Sequence, residues 1–496
     1  MNETELRFHV PASQRVAVEA AVAGRGVHPR LRLQAAYHDT IERRLAVAGL
    51  ALRMRREGRR WVQTLKGGTA DGMTRMEHNV PLGAAAIAPV CDPARHASTP
   101  VGQALLACLE GAGALVVLYR TDILRRTRAL RTAHGRVELA FDNGRIHAAN
   151  RQIDVRELEI ELLAGSPQAV LDTALRWLPR FGLWLDTRSK AERGDLLARG
   201  EVVAPPRLAS PVRLAPAMSA AMAWRTVLRS CAEQITANAS QIAAGASGPE
   251  HVHQLRIGLR RLRSAVSLFG DGDDGDRARL GSAAAALFRS LGSARDAAVL
   301  EGDLAVELRA VMRGAGVAVE AASLPSAPDA PMPAQIVRQP DCQILLLDLI
   351  AAASQADVDA SSPDACPLRQ HAARRLNQWH REMVADLDRF AELDDASRHR
   401  LRKRAKRLRY AAEFCAALFE RKAVRRYLRA LRALQDRLGA LSDVVMAIES
   451  ITARPERDAQ AMFALGWFTA RREPLIGAVA PESESFAKVE RFWKRR

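Results

Sequence analysis

One stretch of the chain occurs twice, and this repeat constrains the fold more than any other feature. Its first copy occupies 253–263 and its second occupies 399–409, with the shared pattern His-x-x-Arg-x-x-x-(Arg/Lys)-Arg-Leu-Arg. A second pattern, Leu-Gly-x-x-x-Asp, stands at 291–296 and again at 438–443. Because both patterns recur at nearly the same offset, the sequence predicts a duplicated structural unit.

Placed on an α-helix, each copy forms a basic stripe beside an apolar stripe. The basic stripes contain His253, Arg256, Arg260 and Arg263 in the first copy and His399, Arg402, Lys406 and Arg409 in the second. The apolar stripes contain Leu255, Leu259 and Leu262, then Leu401, Ala405 and Leu408. A solvated face of an amphipathic helix explains one basic stripe. Like charges at this spacing repel, so two matching stripes favour an anion-binding function.

The charge balance points to a polyanionic partner. The 496 residues carry a formal net charge of +18, which favours nucleic acid, polyphosphate or an anionic membrane surface. Aromatic residues make up only 5% of the chain, whereas single-stranded nucleic acids are bound through exposed stacking rings. A bare phosphate chain is therefore favoured over RNA or DNA.

The sequence also predicts where the protein works. No apolar run is long enough to span a bilayer, and the first residues lack the pattern of a signal peptide. Six scattered cysteines form no Cys-x-x-Cys pair, which is typical of a reducing cytoplasm. We therefore expect a cytoplasmic protein without a membrane partner, and association with polyphosphate granules stays open.

The first 200 residues predict many short strands and few helices. The strand patterns lie at 3–10, 31–38, 50–56, 61–66, 73–80, 117–130, 136–142, 144–148 and 153–162. The helical patterns lie at 12–23, 100–112 and 166–181. Glycines at 67–68 and in Asp142-Asn-Gly144 predict turns between strands. Many strands at short spacing are typical of an antiparallel barrel or sandwich.

Charged residues alternate along these strands, so they share a face. Glu3, Glu5 and Arg7 form one such row, and Glu157, Glu159 and Glu161 form another. A solvent-facing strand explains any single row, but six charged rows favour a closed barrel with a charged lumen. Because carboxylates bind hard cations and basic side chains bind phosphate oxygens, the pattern predicts a metal-dependent phosphoryl site.

Several motifs of this half resemble the CYTH family, the triphosphate tunnel metalloenzymes. Glu3-x-Glu5-x-Arg7 is similar to its amino-terminal Glu-x-Glu-x-Lys motif. Further similar motifs follow in family order, at 37–40, 50–55, 61–66, 138–144, 157–162 and 189–194. The resemblance implies an antiparallel barrel forming a tunnel, Mg²⁺ or Mn²⁺ held by glutamates, and hydrolysis of an inorganic or organic triphosphate.

Arg7 departs from this pattern, because the family usually has lysine there. Arginine keeps the positive charge but presents a planar fork instead of a compact ammonium group. A chain that binds phosphate without turnover would show the same departure.

The resemblance and the residue types together give candidate roles. The catalytic candidates are Glu3, Glu5 and Arg7. The candidate metal ligands are Glu3, Glu5, Asp142, Glu157, Glu159 and Glu161. The candidate triphosphate-binding residues are Arg32, Arg53, Arg55, Lys66, Arg75, Arg125 and Lys190. Which triphosphate is the substrate and which metal is preferred stay open.

A proline-rich segment at 201–216 predicts a linker between 1–200 and a helical region at 217–475, with a basic tail at 476–496. The helical patterns lie at 217–243, 249–269, 276–290, 294–314, 342–354, 368–392, 396–419, 422–439 and 441–452. With the repeat, these helices predict two packed bundles. The expected fold class is therefore α+β multidomain: an antiparallel β-barrel tunnel with flanking helices, then duplicated helical bundles.

The helical region resembles the CHAD family of histidine-containing α-helical domains. The resemblance rests on the two basic stripes together with Arg261, Arg407, Arg295-Asp296 and Asp443. It implies that inorganic polyphosphate binds along these stripes. We thus expect a metal-dependent triphosphatase joined to a polyphosphate-binding module. The alternatives are a non-catalytic polyphosphate-binding protein and, less favoured, a nucleic-acid-binding protein.

Overall fold

A computed structural model of the chain describes residues 2–26, 29–69, 74–270, 275–292, 303–316, 331–355, 367–453 and 458–494. The chain divides into two compact units. The first unit comprises Met1–Arg207, Ala232–His251 and Ala334–Gln355, and the second comprises Leu208–Cys231, Val252–Pro333 and Ala356–Arg496.

An antiparallel sheet forms the centre of the first unit. Its strands are β1 (Asn2–His9), β2 (Leu31–Asp39), β3 (Ala51–Glu57), β4 (Arg60–Thr69), β5 (Thr74–Ala84), β6 (Val116–Thr132), β7 (Gly135–Ala148), β8 (Arg151–Gly165) and β9 (Trp184–Leu185). They pair in the order β5-β4-β3-β2-β6-β7-β8-β1-β9. β1 also pairs with β5 through Glu3 and Thr4, and this pairing connects the first strand of the order to the last but one.

Helices accompany this sheet, as the sequence predicted. They are α1 (Arg15–Ala23), α2 (Arg44–Val47), α3 (Pro100–Leu109), α4 (Gln168–Phe181) and α5 (Lys190–Ala198). The helical patterns predicted α1, α3 and α4. They missed α2, α5 and the two-residue strand β9, which are short and carry too few apolar positions for a clear period.

The turn predicted at Gly144 is wrong, because β7 continues through it without a break. A Cβ atom at this position would lie 2.1 Å from the carbonyl oxygen of Asp122 on the neighbouring strand β6. The glycine is therefore required by the close approach of two strands. The turn predicted at 67–68 is wrong as well, since both glycines lie within β4.

From residue 220 onward, the described chain is helical. Its helices are α6 (Ala220–Ala243), α7 (Pro249–Phe269), α8 (Gly275–Ser290), α9 (Asp303–Gly314), α10 (Pro333–Arg338), α11 (Pro340–Ser354), α12 (Leu368–Leu387), α13 (Asp395–Phe414), α14 (Arg421–Thr452), α15 (Ala459–Gly477) and α16 (Ala480–Lys488). The α+β multidomain class is therefore confirmed. Part of the helix predicted at 294–314 lies outside the described residues.

The break predicted near residue 440 is wrong, because α14 runs through Gly439 as one helix of 32 residues. A glycine inside a helix costs only about 1 kcal/mol relative to alanine. Burial of Leu438, Leu441 and Val444 on the same helix offsets that cost.

The two apolar stripes of the repeat are buried, as predicted. Leu255, Leu259 and Leu262 of α7 and Leu401, Ala405 and Leu408 of α13 are all 0% exposed. The segment predicted as a basic tail also packs against the helices, since Phe486, Phe492 and Trp493 are buried. It therefore belongs to the folded second unit as far as residue 494.

Candidate functional site

The charged rows of β1, β7 and β8 lie side by side on one face of the sheet. Glu5 of β1 stands opposite Glu161 of β8, and Arg7 stands opposite Glu159. Glu157 of β8 in turn stands opposite Asp142 of β7. Because directly opposed residues of an antiparallel pair point to the same side, the sheet gathers these charges on a single face.

A lysine joins three carboxylates on this face. The carboxylates of Asp142, Glu157 and Glu159, here called the acidic trio, offer oxygens within 4.8 Å of one another. Lys190 Nζ lies 2.8 Å from Asp142 Oδ2 and 2.7 Å from Glu159 Oε1, and it also contacts Glu157. Arg125 pairs with Asp142 at 2.6 Å and also with Glu159. The acidic trio is therefore largely neutralised by the chain's own cations.

Helix α5 presents Lys190 to this face through a capping box. The Ser189 hydroxyl accepts a hydrogen bond from the Glu192 backbone N–H, and the Glu192 carboxylate accepts one from the Ser189 N–H. These bonds fix the first turn of the helix. One turn later, Arg193 pairs with Glu157, which is 1% exposed. Two cations of one helix thus hold the buried end of the acidic trio.

Glu3 on β1 belongs to a separate ion-pair group. Lys66 Nζ on β4 lies 2.7 Å from Glu3 Oε2 and 2.5 Å from Glu77 Oε2 on β5. Burial raises the pKa of Glu3 to about 8, although Lys66 opposes the shift. Lys66 holds the pKa of Glu77 below its usual range against the effect of burial. One lysine therefore faces two carboxylates, and Glu3 holds its proton to a higher pH than a free carboxyl does.

Glu5 and Glu161 lie in a part of the charged face where carboxylates are crowded. Burial, followed by the charges of Glu5 and Glu138, raises the pKa of Glu161 to about 7. Glu5 is 7% exposed and makes an ion pair of 3.8 Å with Arg7. A hard divalent cation relieves such repulsion between carboxylates. The residues of this face therefore fit a metal ion. The oxygens of the acidic trio lie close enough together to share one, and Glu161 adds a carboxyl that is crowded by Glu5 and Glu138.

Arg7 is held by the main chain as well as by carboxylates. Its Nη2 donates a hydrogen bond of 3.0 Å to the carbonyl oxygen of Thr187, which lies just before α5. Burial opposes the charge of Arg7, but Glu5 and Glu157 together raise its pKa above the usual range. The guanidinium is therefore charged and anchored, whereas a lysine could not hold both groups in the same planar geometry.

Basic side chains of β3 lie near a tyrosine that the sequence analysis did not assign a role. Arg53 Nη1 donates a hydrogen bond of 3.2 Å to the Tyr37 hydroxyl. Tyr37 stacks on Tyr119 with ring centroids 4.6 Å apart. A Cβ atom at Gly194 of α5 would lie 2.2 Å from the Tyr119 ring. The helix that carries Lys190 therefore packs directly against this tyrosine pair.

Two other residues of the charged face also had no assigned role, namely Glu77 and Arg193. Glu77 lies two positions after Arg75 in β5 and so shares its face, and Arg193 lies one turn after Lys190. The alternation along β5 places Glu77 on the charged face, so its position was predictable from the sequence. Arg193 could be placed beside Lys190 only if the helix α5 had been predicted, and it was not.

The structure does not bring every candidate phosphate ligand to this face. Arg32 is 61% exposed and pairs with Asp122 at 2.5 Å. The next residue of β2, Leu33, stands opposite Glu57 of β3. Successive residues of a strand point to opposite faces. Arg32 therefore points to the side opposite Arg55 and Glu57. The side chain of Arg75 lies outside the described residues, while Arg55 pairs with Glu57 on the charged face.

In the second unit, the stripes of the repeat contain anchored and free cations. Arg256 Nη1 donates a hydrogen bond of 2.6 Å to the Leu291 carbonyl oxygen and lies 4.3 Å above the Phe288 ring. Arg402 donates to Ser442 Oγ at 2.9 Å and to Asp443 at 3.3 Å. These arginines at matching positions of the two copies therefore tie their helices to neighbouring ones.

Arg260 and Lys406, also at matching positions, lie close enough for the charge of one to act on the other. Burial, followed by the charges of Arg260 and Arg402, lowers the pKa of Lys406 to about 6. Over the described part of the chain, neither Arg260 nor Lys406 makes an ion pair. Arg260, Arg402 and Lys406 therefore form a cluster of positive charge to which both stripes contribute. We call this cluster the basic patch.

The remaining stripe residues lie at the margin of the basic patch. Arg409 pairs with Glu413 at 3.0 Å, and Arg263 and His399 are exposed. Burial, followed by Lys403 and Arg402, lowers the pKa of His399. His253 is partly buried on α7. Arg295-Asp296 lies outside the described residues.

Comparisons with known proteins agree with this division. Residues 226–452 match the CHAD domain and residues 1–194 match the CYTH domain. The chain therefore carries a CYTH domain followed by a CHAD domain, and the family resemblances of the motifs are confirmed.

Individual relatives match parts of the chain. An inorganic triphosphatase of Haemophilus influenzae is 28% identical over 177 residues, which are 34% of this chain and 47% of that protein. The chain thus spans about half the length of this curated relative. The CHAD domain from Ricinus communis is 26% identical, with a TM-score of 0.45 over 56% of this chain and 96% of its own.

A Hippeastrum protein, described as an adenylyl cyclase candidate with dominant triphosphatase activity, is 16% identical. Its TM-score is 0.30, over 40% of this chain and 97% of its own. Within the described ranges, no helix is both long and apolar enough to cross a membrane.

Proposed function

We propose that the first unit hydrolyses a triphosphate, with inorganic triphosphate as the leading substrate and Mg²⁺ or Mn²⁺ as the cofactor. The observation that carries this proposal is the single face on which uncompensated carboxylates meet a set of buried cations. The curated relative with inorganic triphosphatase activity supports the choice of substrate.

The roles follow from the charges of this face. Glu3, Glu5 and Glu161 would hold the cation, because a divalent cation would replace the protons that burial and crowded carboxylates favour on Glu3 and Glu161. Once bound there, a divalent cation would neutralise phosphate charge and would help to orient the attacking water. The basic residues that would bind phosphate oxygens are Arg53, Arg55, Lys66, Arg125 and Lys190. Arg7 would hold the segment before α5 in place through Thr187.

Phosphate release from inorganic triphosphate by the full-length protein tests this proposal. We expect turnover with Mg²⁺ or Mn²⁺ and none with EDTA. Glu5→Gln removes one anionic oxygen and should lower kcat/KM by about 10²-fold, on the scale of effects at metal sites. The matched control is Asp154→Asn, since Asp154 is 58% exposed and pairs with Arg145 at 3.4 Å. Unchanged turnover in Glu5→Gln, or turnover that resists EDTA, would contradict the proposal.

A second candidate is a first unit that binds triphosphate without hydrolysing it. The observation that favours it is Arg7, which stands where the family usually has lysine and donates to a main-chain carbonyl. Metal-dependent binding of triphosphate by the wild-type protein, without phosphate release, would establish this candidate.

We also propose that the second unit binds inorganic polyphosphate through the basic patch, without a metal ion. Fifteen lysines and arginines lie between residues 398 and 437, and a phosphate chain matches such a density of charge. The aromatic residues of this stretch are buried, namely Tyr410, Phe414, Phe419 and Tyr427. Because single-stranded nucleic acids bind through exposed rings, this burial favours polyphosphate over RNA.

A further inference from the structure

Lys406 is a lysine that lies among arginines in the basic patch. It is partly buried on α13, between Arg402 and Arg409 of the same helix. Arg260 faces it from α7, and Asp443 is the carboxylate that faces it from α14. No ion pair of Lys406 exists among the residues that the structure describes.

The nearby carboxylates are engaged by arginines. Asp443 accepts a hydrogen bond from Arg402 at 3.3 Å. Glu413 accepts one from Arg409 at 3.0 Å and one from Arg432 at 3.1 Å. The described acids of the patch thus pair with Arg402, Arg409 and Arg432, and they leave Arg260, whose charge acts on Lys406, without an ion pair.

An ammonium group is unfavourable in such surroundings. Burial, then Arg260 and Arg402, lower the pKa of Lys406 to about 6, while Asp443 opposes the shift. At neutral pH, the ligand-free site therefore holds Lys406 mainly as a neutral amine. A phosphate chain over the same side chains would supply the missing negative charge and favour the ammonium form.

We propose that Lys406 takes up a proton when a phosphate chain enters the basic patch, so that anion binding by the second unit is coupled to proton uptake. The proton comes from the buffer, and the neutral amine becomes an ammonium group that pairs with phosphate oxygens. This inference rests on the proposed binding of polyphosphate.

The sign of the pH dependence follows from linkage. Below about pH 6, Lys406 is charged with or without the ligand, so its contribution to affinity is constant. Above that pH, the free site must gain a proton to bind, and affinity should fall by up to about tenfold per pH unit. This fall continues until the pH reaches the pKa of Lys406 in the complex.

Calorimetric titration of the full-length protein with size-fractionated linear polyphosphate, in EDTA, tests the coupling. Measured at pH 7.5 in buffers of different ionisation enthalpy, the binding enthalpy should vary by the equivalent of about one proton taken up. Lys406→Gln removes the titrating group and should abolish most of this uptake, with a loss of affinity that is large at pH 6 and small at pH 9. Lys406→Arg keeps a permanent charge and should bind with a flatter pH profile.

Lys403→Gln is the matched control, because Lys403 is exposed on the same helix. It should lose a small share of affinity and keep the proton uptake of the wild type. The end groups of polyphosphate also titrate, but they contribute equally to every variant. Circular dichroism checks that each variant is folded.

The outcomes separate the inference from the function on which it rests. Tight binding without proton uptake, or the same uptake in Lys406→Gln, would refute the coupling and leave polyphosphate binding standing. Absence of any polyphosphate binding at pH 6 by the folded wild type would overturn the proposed function and the inference with it.

Discussion

Replacing Lys190 by methionine should destabilise the first unit strongly. Methionine keeps the unbranched stem of the side chain and removes the ammonium group. Lys190 is 11% exposed and contacts all three carboxylates of the acidic trio. Its loss would leave buried negative charge with too few cations, which is far more costly than the loss of a surface ion pair.

The size of the effect follows from the cations that remain. Removing one partner of a buried ion pair costs about 3–5 kcal/mol. In Lys190→Met, Arg125 still pairs with Asp142 and Glu159, and Arg193 still pairs with Glu157. We therefore expect a loss near the lower end of that range, about 3 kcal/mol in the free energy of unfolding at pH 7.

The loss should shrink in acid. The contacting carboxylates, against the effect of burial, raise the pKa of Lys190 above its usual range. Stability from Lys190 is therefore fully present below the pKa of an unfolded lysine and is lost only at higher pH. Between pH 5 and pH 7, the difference between wild type and variant thus comes from the carboxylates. Without Lys190 they bind protons more readily when folded, so lowering the pH stabilises the variant.

Urea unfolding of the full-length protein at pH 7 and pH 5, followed by circular dichroism and tryptophan fluorescence, measures both effects. The transitions of the two units are fitted separately. The matched control is Arg145→Met, which breaks an ion pair of 3.4 Å between side chains that are 56% and 58% exposed. It should cost less than about 1 kcal/mol. Equal losses in the two variants, or a loss for Lys190→Met that grows in acid, would refute this reasoning.

Two further predictions concern the fit of α5 and the basic patch. Gly194→Ala would place a Cβ atom 2.2 Å from the Tyr119 ring, so overpacking should cost about 1–3 kcal/mol in the same unfolding assay, and a neutral effect would contradict the packing described. The double variant Arg260→Gln/Lys406→Gln should bind polyphosphate at pH 6 more weakly, and with a smaller dependence on salt, than Arg400→Gln/Lys403→Gln, whose side chains are exposed. Equal losses in the two double variants would show that binding is diffuse.

The charged face of the sheet could be predicted from the sequence, because it depends on the alternation of residues along each strand. Glu5 and Glu161 lie on this face because every second residue of a strand points to the same side. The structure adds that the two residues stand directly opposite each other on neighbouring strands. In the same way, the helical period placed Leu255 and Leu401 in the core. Periodicity identifies the face on which a residue lies, and burial of the apolar face then fixes it.

The sequence did not predict which side chains of different elements contact one another. The motif predicted Lys190 as a phosphate ligand, but the three carboxylates that it contacts lie on β7 and β8, more than 30 residues before it in the chain. Gly144 has the appearance of a turn, and only the closeness of β6 explains it. Arg261 lies off the basic stripe, yet it is 4% exposed and donates to Ser230 Oγ at 2.9 Å. Each case depends on a neighbour that the local pattern does not reveal.

The bond from Arg7 to the Thr187 carbonyl has a consequence for protein engineering. It links the first strand of the chain to the segment that leads into α5, across 180 positions of sequence. A chimaera that takes β1 from a relative with lysine at this position would lose the bond, even if every residue of α5 were kept. β1 and residues 186–198 should therefore be exchanged between relatives as one cassette, although a crossover map based on sequence order would separate them.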